Sequence, residues 1–160
     1  MDGLFSHAAA ADQPVPEHRT RTVAVSVPVP PAEAFAAFTD LIHLWWPMEL
    51  HSAYGPGSHL GFEAQALVEE SDDGREQVWG AVRSWAPPSS LVLDLGFGVG
   101  PGEPSRVRVD FDAESGGTAV AVAVDGGSRT AGSVDWEPVL RRFARFMGVA
   151  GASLRIDPEE

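Results

Sequence analysis

The chain contains no lysine and no cysteine. Without lysine there is no Schiff-base amine, no P-loop lysine and no lysine general base. Without cysteine there are no disulfides, thiolate nucleophiles, iron–sulfur clusters or Cys-bearing zinc sites. Positive charge is scarce altogether: eleven basic residues, all arginine, stand against 23 acidic ones, for a formal net charge of −12. That balance argues against nucleic acid as a partner, because phosphate-binding surfaces concentrate positive charge. Long apolar runs are missing too, and no stretch approaches the ~20 apolar residues of a membrane span. Residues 1–18 lack the basic start and apolar middle of a secretory signal and read as a mobile tail. Cytoplasmic residence is expected. A chain of 160 residues fits one domain with a substantial core.

What is present is densest between residues 23 and 47. Val23, Val25 and Val27 alternate with Thr22, Ala24 and Ser26, the period of a half-buried strand. Pro31 suits the first turn of a helix, where its missing N–H costs nothing, and Glu33 favours the helix dipole. Phe35 and Phe38 then share a helical face. Asp40 is placed to cap a second short helix whose Leu41, Leu44, Trp45 and Trp46 run into Pro47. Adjacent tryptophans cannot share one helical face, so at least one is expected to leave the ordinary core for a lid or pocket wall.

Strands come next. Leu60, Phe62, Ala64, Ala66 and Val68 alternate with Glu63, Gln65 and Glu69, which predicts one strand with an apolar face and a wet one. Ser71-Asp72-Asp73-Gly74 is turn chemistry, and Glu76 to Trp85 returns antiparallel. On that strand, periodicity leaves open whether Val78 and Val82 or Trp79, Ala81 and Trp85 face inward. Leu91, Leu93, Leu95 and Phe97 alternate next, and a Gly/Pro loop spans Gly98 to Pro104. Val107, Val109 and Phe111 alternate with Arg106, Arg108, Asp110 and Asp112. Gly116-Gly117 then turns into Val120, Val122 and Val124. Finally, Trp136, Val139, Leu140, Phe143, Phe146, Met147 and Ala150 recur at helical spacing opposite Arg141, Arg142 and Arg145, with Asp135 as a cap. A curved antiparallel sheet around one long C-terminal helix, with two short helices after the first strand, is an α+β helix-grip fold.

The order of these motifs resembles the START-like, birch-allergen-like (SRPBCC) superfamily, in the branch similar to the C-terminal domain of the heat-shock chaperone ATPase activator. The carriers are the first strand, the Pro31 helix ending Phe38-Thr39-Asp40, the Trp45-Trp46 pair, Gly80-Ala81-Val82, Pro87-Pro88 before Leu91 and Leu93, the Gly116-Gly117 hairpin and the Trp136 helix. One segment departs from the pattern: Tyr54-Gly-Pro-Gly-Ser-His-Leu-Gly-Phe62 stands where the family has a glycine pair followed by a basic or aromatic residue. The expected organisation is a tail over residues 1–18, the helix-grip domain over 19–154 and a C-terminal tail over 155–160.

The resemblance implies a cavity for an apolar molecule between sheet and helix. Its expected lining is Trp45, Trp46, Phe62, Trp79, Phe97, Phe111, Trp136, Leu140, Phe143 and Met147, and a small apolar or aromatic molecule is the expected partner. The plain alternative is that the tryptophans simply pack the core. His51, His59, Tyr54 and Arg83 are candidates for orienting polar groups. Two other functions are implied by the same resemblance: an enzyme similar to polyketide cyclases or aromatases, and a chaperone-interacting module similar to the ATPase activator. Binding is favoured over catalysis, because the inward stripe of the last helix is wholly apolar. Glu49 with His51, and His59 with Glu63, do not by spacing make a metal site, so neither metal nor cofactor is expected. Ser–His–Asp chemistry lacks a Gly-x-Ser-x-Gly elbow. The glycine-rich run from Gly96 to Gly102 leads into a strand, without the helix N-terminus that would hold phosphate. The arginine stripe of the last helix reads as a solvated face.

Overall fold

The computed structural model describes residues 20–96, 105–125 and 134–158. The tail over residues 1–18, Phe97 and the Gly98–Pro104 loop lie outside them. Eight strands form one antiparallel sheet: β1 (Thr20–Val27), β2 (His59–Glu63), β3 (Ala66–Glu70), β4 (Glu76–Ala86), β5 (Ser90–Leu95), β6 (Ser105–Glu114), β7 (Gly117–Asp125) and β8 (Arg155–Pro158), in the order β2-β3-β4-β5-β6-β7-β1-β8. Helices α1 (Pro31–Thr39) and α2 (Ile42–Trp45) come after β1, and α3 (Trp136–Phe146) precedes β8. No helix among the described residues is long and apolar enough to cross a membrane.

Side-chain alternation builds the core. Val23, Val25 and Val27, Leu91, Leu93 and Leu95, Val107, Val109 and Phe111, and Val120 and Val122 all point to one buried face. The helices cover that face: α3 packs on β1, α1 on β6 and β7, and α2 on β2 and α3. Pro31 occupies the first turn of α1, and Phe35 and Phe38 are buried beneath it. Asp135 caps α3 by accepting from the Glu137 N–H, and Trp136, Val139, Leu140 and Phe143 enter the core.

The structure differs from the sequence reading at five places, each for a local reason. Asp40 does not cap α2: it stays helical at φ −66°, closes α1 through its own N–H to the Ala36 carbonyl, and Leu41 takes the cap position without a side-chain bond. The strand expected from Leu60 to Val68 is a hairpin, because Ala64 and Gln65 adopt φ of 47° and 68° and reverse the chain. Both residues carry the positive φ that a two-residue hairpin turn needs, without the glycine or asparagine that announces it. Glu69, expected on the wet face, is fully buried. The α3 stripe stops short of Ala150, since Gly148 at φ +99° ends the helix and leaves Phe146 39% exposed. Residues 155–158, read as tail, pair antiparallel with β1.

Two bulges on β4 resolve the strand that periodicity left open. Pairing with β3 skips Trp79, and pairing with β5 skips Arg83. Each extra residue shifts the facing of the side chains beyond it on the strand. Trp79 is therefore buried at 1% exposure while Val78 stands outside at 58%. On either side of the second bulge, Val82 packs on the core and Trp85 reaches the rings of Phe35 and Phe62.

Candidate functional site

Ring contacts run unbroken through the interior. Trp46 meets Trp79 and Trp136 edge-on with centroids 5.3 and 5.7 Å apart, and lies 6.0 Å from Trp45. Trp45 meets Phe143 at 4.9 Å and Phe38 at 5.1 Å, and Phe38 meets Phe111 at 5.7 Å. Phe35 continues the chain from Phe111, at 5.1 Å, to Trp85, at 5.3 Å, and Phe62 ends it 5.5 Å beyond. Edge-to-face pairs of this kind add roughly 0.5–1.5 kcal/mol each beyond area burial.

Neither member of the Trp45-Trp46 pair forms a lid. Both are buried in the core, at 2% and 4% exposure. The constraint that adjacent residues cannot share a helical face does not apply, because α2 ends at Trp45 and Trp46 is already extended, at ψ 133°. The change of backbone direction sends both indoles inward. Trp45 Nε1 donates to the Ala37 carbonyl at 3.0 Å and Trp46 Nε1 to the His51 carbonyl at 2.9 Å, so neither polar handle is stranded.

The loop after α2 is strapped over this cluster by Glu69. One carboxylate oxygen accepts from the Ala53 N–H at 2.7 Å and Trp79 Nε1 at 3.1 Å, and the other from the Ser52 hydroxyl and the Tyr54 N–H at 3.2 Å. Burial pushes the carboxyl pKa up, but the bonds from Ser52, Ala53, Tyr54 and Trp79 outweigh it and hold the group below its ordinary value. His51 adds a second strap, its Nε2 accepting from the Asp135 N–H at 3.0 Å at the start of α3. An accepting Nε2 makes that imidazole neutral, and burial lowers its pKa, opposed by the charge of Asp135.

The chain of rings opens to solvent at its far end. Phe62, Glu63, Ala64, Gln65, Val82, Arg83, Ser84 and Trp85 line a groove of about 420 Å³. Its apolar wall is Phe62, Val82 and Trp85, the last 44% exposed. Its rim is the β2–β3 turn with two non-glycine residues at positive φ, and the Gln65 carbonyl ties that turn to the Val82 N–H at 2.8 Å. Left-handed conformations at such residues cost about 1 kcal/mol or more each and persist only where their surroundings hold them.

Of the ten residues expected to line a cavity, Phe62 lines this groove. Trp45, Trp46, Trp79, Phe111, Trp136, Leu140 and Phe143 lie together in the core behind it, Met147 packs at its margin, and Phe97 falls outside the described residues. Arg83 is the one orienting candidate at the groove. His51 is engaged with α3, His59 stacks on His43 with centroids 4.6 Å apart, and the Tyr54 ring lies under Arg75 at 4.8 Å. Glu49 pairs with Arg142. Among the described residues no three His, Asp or Glu side chains converge as metal ligands. Sequence reasoning missed Val82, Trp85 and the 64–65 turn as a site, and Glu69 as an anchor. The exposed Trp85 just before the Pro87-Pro88 turn was the available signal.

An antiparallel sheet closed over one C-terminal helix, with two short helices after the first strand, defines an α+β helix-grip fold. Within it, the chain belongs to the family described as Activator of Hsp90 ATPase homolog 1-like protein, which it matches over residues 28–148. Solved structures share the fold. PFC0360w, an HSP90 activator from Plasmodium falciparum, superposes with a TM-score of 0.59 at 17% identity, covering 85% of this chain and 99% of that one. CalU16 from Micromonospora echinospora gives 0.56 at 20% identity, over 85% and 78%. A protein from Rhizobium leguminosarum gives 0.54 at 18%, over 82% and 95%. Curated protein sequences yield no match.

Proposed function

We propose that the protein binds a small apolar or aromatic molecule at the open end of the grip, in the groove walled by Phe62, Val82 and Trp85. The observation that carries this reading is the exposure of a tryptophan edge at the end of an otherwise buried chain of rings. The groove volume lies in the ordinary range for small-molecule sites. Covering the exposed ring area contributes about 25 cal/mol per Å² before the costs of association. The buried rings behind the groove, beginning with Phe35, hold the Trp85 edge in place, so the ligand rests on Trp85 and Phe62 without displacing the core.

Titration with a panel of apolar aromatics, read by tryptophan emission, tests the reading in the wild-type chain and in Trp85→Ala. Binding in the first and a loss of at least about ten-fold in the second are expected. Because Trp85 is nearly half exposed, the substitution should cost only about 1 kcal/mol of stability. Unchanged affinity in Trp85→Ala would remove the groove as the site.

A second reading, a chaperone ATPase activator, is favoured by the family match over residues 28–148. It predicts stimulation of the Hsp90 ATPase by the purified chain, and an unchanged ATPase rate at saturating chain excludes it.

A further inference from the structure

The rim of the groove holds a cation whose partner is already occupied. Arg83 is the residue that β4 skips in pairing with β5, and its side chain, 57% exposed, reaches Asp94 Oδ2 through Nε at 3.2 Å. Asp94 is also held by Arg106, whose Nε and Nη2 contact its two oxygens at 2.6 and 3.4 Å. Asp94 thus serves two guanidinium groups, and Arg106 also stands opposite Asp125, so what Arg83 keeps open is the terminal edge of its fork. Among the described residues, the terminal nitrogens of Arg83 donate no hydrogen bond. Elsewhere the field of a chain with net charge −12 repels anions. A guanidinium with its terminal nitrogens open beside an aromatic wall therefore runs against the general character of the molecule. Its planar geometry matches a carboxylate bidentately.

We infer that the ligand of this groove is an aromatic monoacid, its ring system lying against Trp85 and Phe62 and its carboxylate paired with Arg83. This rests on the groove reading above and adds the chemical class. Glu63, the other charged group on the rim, disfavours a second acidic substituent and so limits the ligand to one.

Two probes with the same rings separate the acid assignment from the groove itself. The full chain is titrated at low salt with 2-naphthoate and with 2-naphthalenemethanol, following the Trp85 indole N–H by NMR. The acid should bind about ten-fold more tightly than the alcohol. Arg83→Gln should erase that preference by weakening the acid, and Glu63→Gln should tighten the acid. Asp94 keeps Arg106 in Arg83→Gln, so the variant retains its fold, which thermal denaturation verifies. Equal affinities for the two probes, or a preference that survives Arg83→Gln, overturn the acid assignment and leave the groove standing. If neither probe moves the Trp85 resonance, groove and assignment fall together.

Discussion

Removing the Glu69 carboxylate should be among the most damaging single changes in the chain. The group is fully buried and has four neutral donors and no cation, so its charge is held by hydrogen bonds alone. In Glu69→Ala, Ser52, Ala53 and Tyr54 sit in a part-exposed loop and can turn to water. Trp79 Nε1 cannot, because its residue is 1% exposed. Taking the acceptor away from a buried donor costs about 1–3 kcal/mol. The cavity left by the lost side chain brings the total to about 3–5 kcal/mol, a large share of a small domain's stability. Glu69→Gln keeps the volume and one accepting oxygen, so it should cost about 1–2 kcal/mol. The two variants also differ in pH response. The folded-state pKa of Glu69 is depressed, so the folded state binds fewer protons than the unfolded chain. Its contribution is full above the ordinary value of 4.5 and disappears as pH falls through the folded value. Urea denaturation at pH 7 and at stepwise lower pH, read by tryptophan emission, measures both effects. The wild type should lose stability faster than Glu69→Gln below pH 4.5. Parallel pH curves, or a loss under about 1 kcal/mol in Glu69→Ala, would refute the account of this carboxylate as a satisfied buried anchor.

Trp45→Ala and Trp46→Ala should each destabilise by about 3–5 kcal/mol in chemical denaturation, since both indoles are buried and bonded to backbone carbonyls; a much smaller loss for either would mean it can leave the core. His51 is held neutral, with its folded pKa below 6.5, so its contribution is full above pH 6.5 and declines as pH falls toward the folded value. His51→Gln should flatten the stability profile below pH 6.5 when melting is followed as pH is lowered.

The elements that were legible in the sequence are those whose alternation runs without interruption. β6 sets Val107, Val109 and Phe111 against Arg106, Arg108 and Asp110, and all three apolar residues are buried. α3 repeats its aromatics at helical spacing, and Trp136, Leu140 and Phe143 are buried as that spacing requires. The misread elements are those where one residue breaks the count. Ala64-Gln65 turns the chain without glycine, which hides a hairpin inside what looks like a single alternating strand. That turn, with the irregular pairing at Leu67 and Val68, carries Glu69 from the wet face to a buried position. β8 escaped notice because Arg-Ile-Asp-Pro is short and polar, as edge strands are.

The candidate site obeys the same logic. On a regular strand, Arg83 would share the outward face of Ala81, and Val82 and Trp85 would lie on opposite faces. The bulge that skips Arg83 cancels the mismatch, bringing Val82 and Trp85 to the same wall and leaving Arg83 on the rim beside them. The hairpin tip completes that rim through the Gln65 carbonyl bond to the Val82 N–H. The groove is thus made from the two irregularities that conceal it from a periodicity reading, and restoring either to regular geometry would dismantle the wall along with the strain.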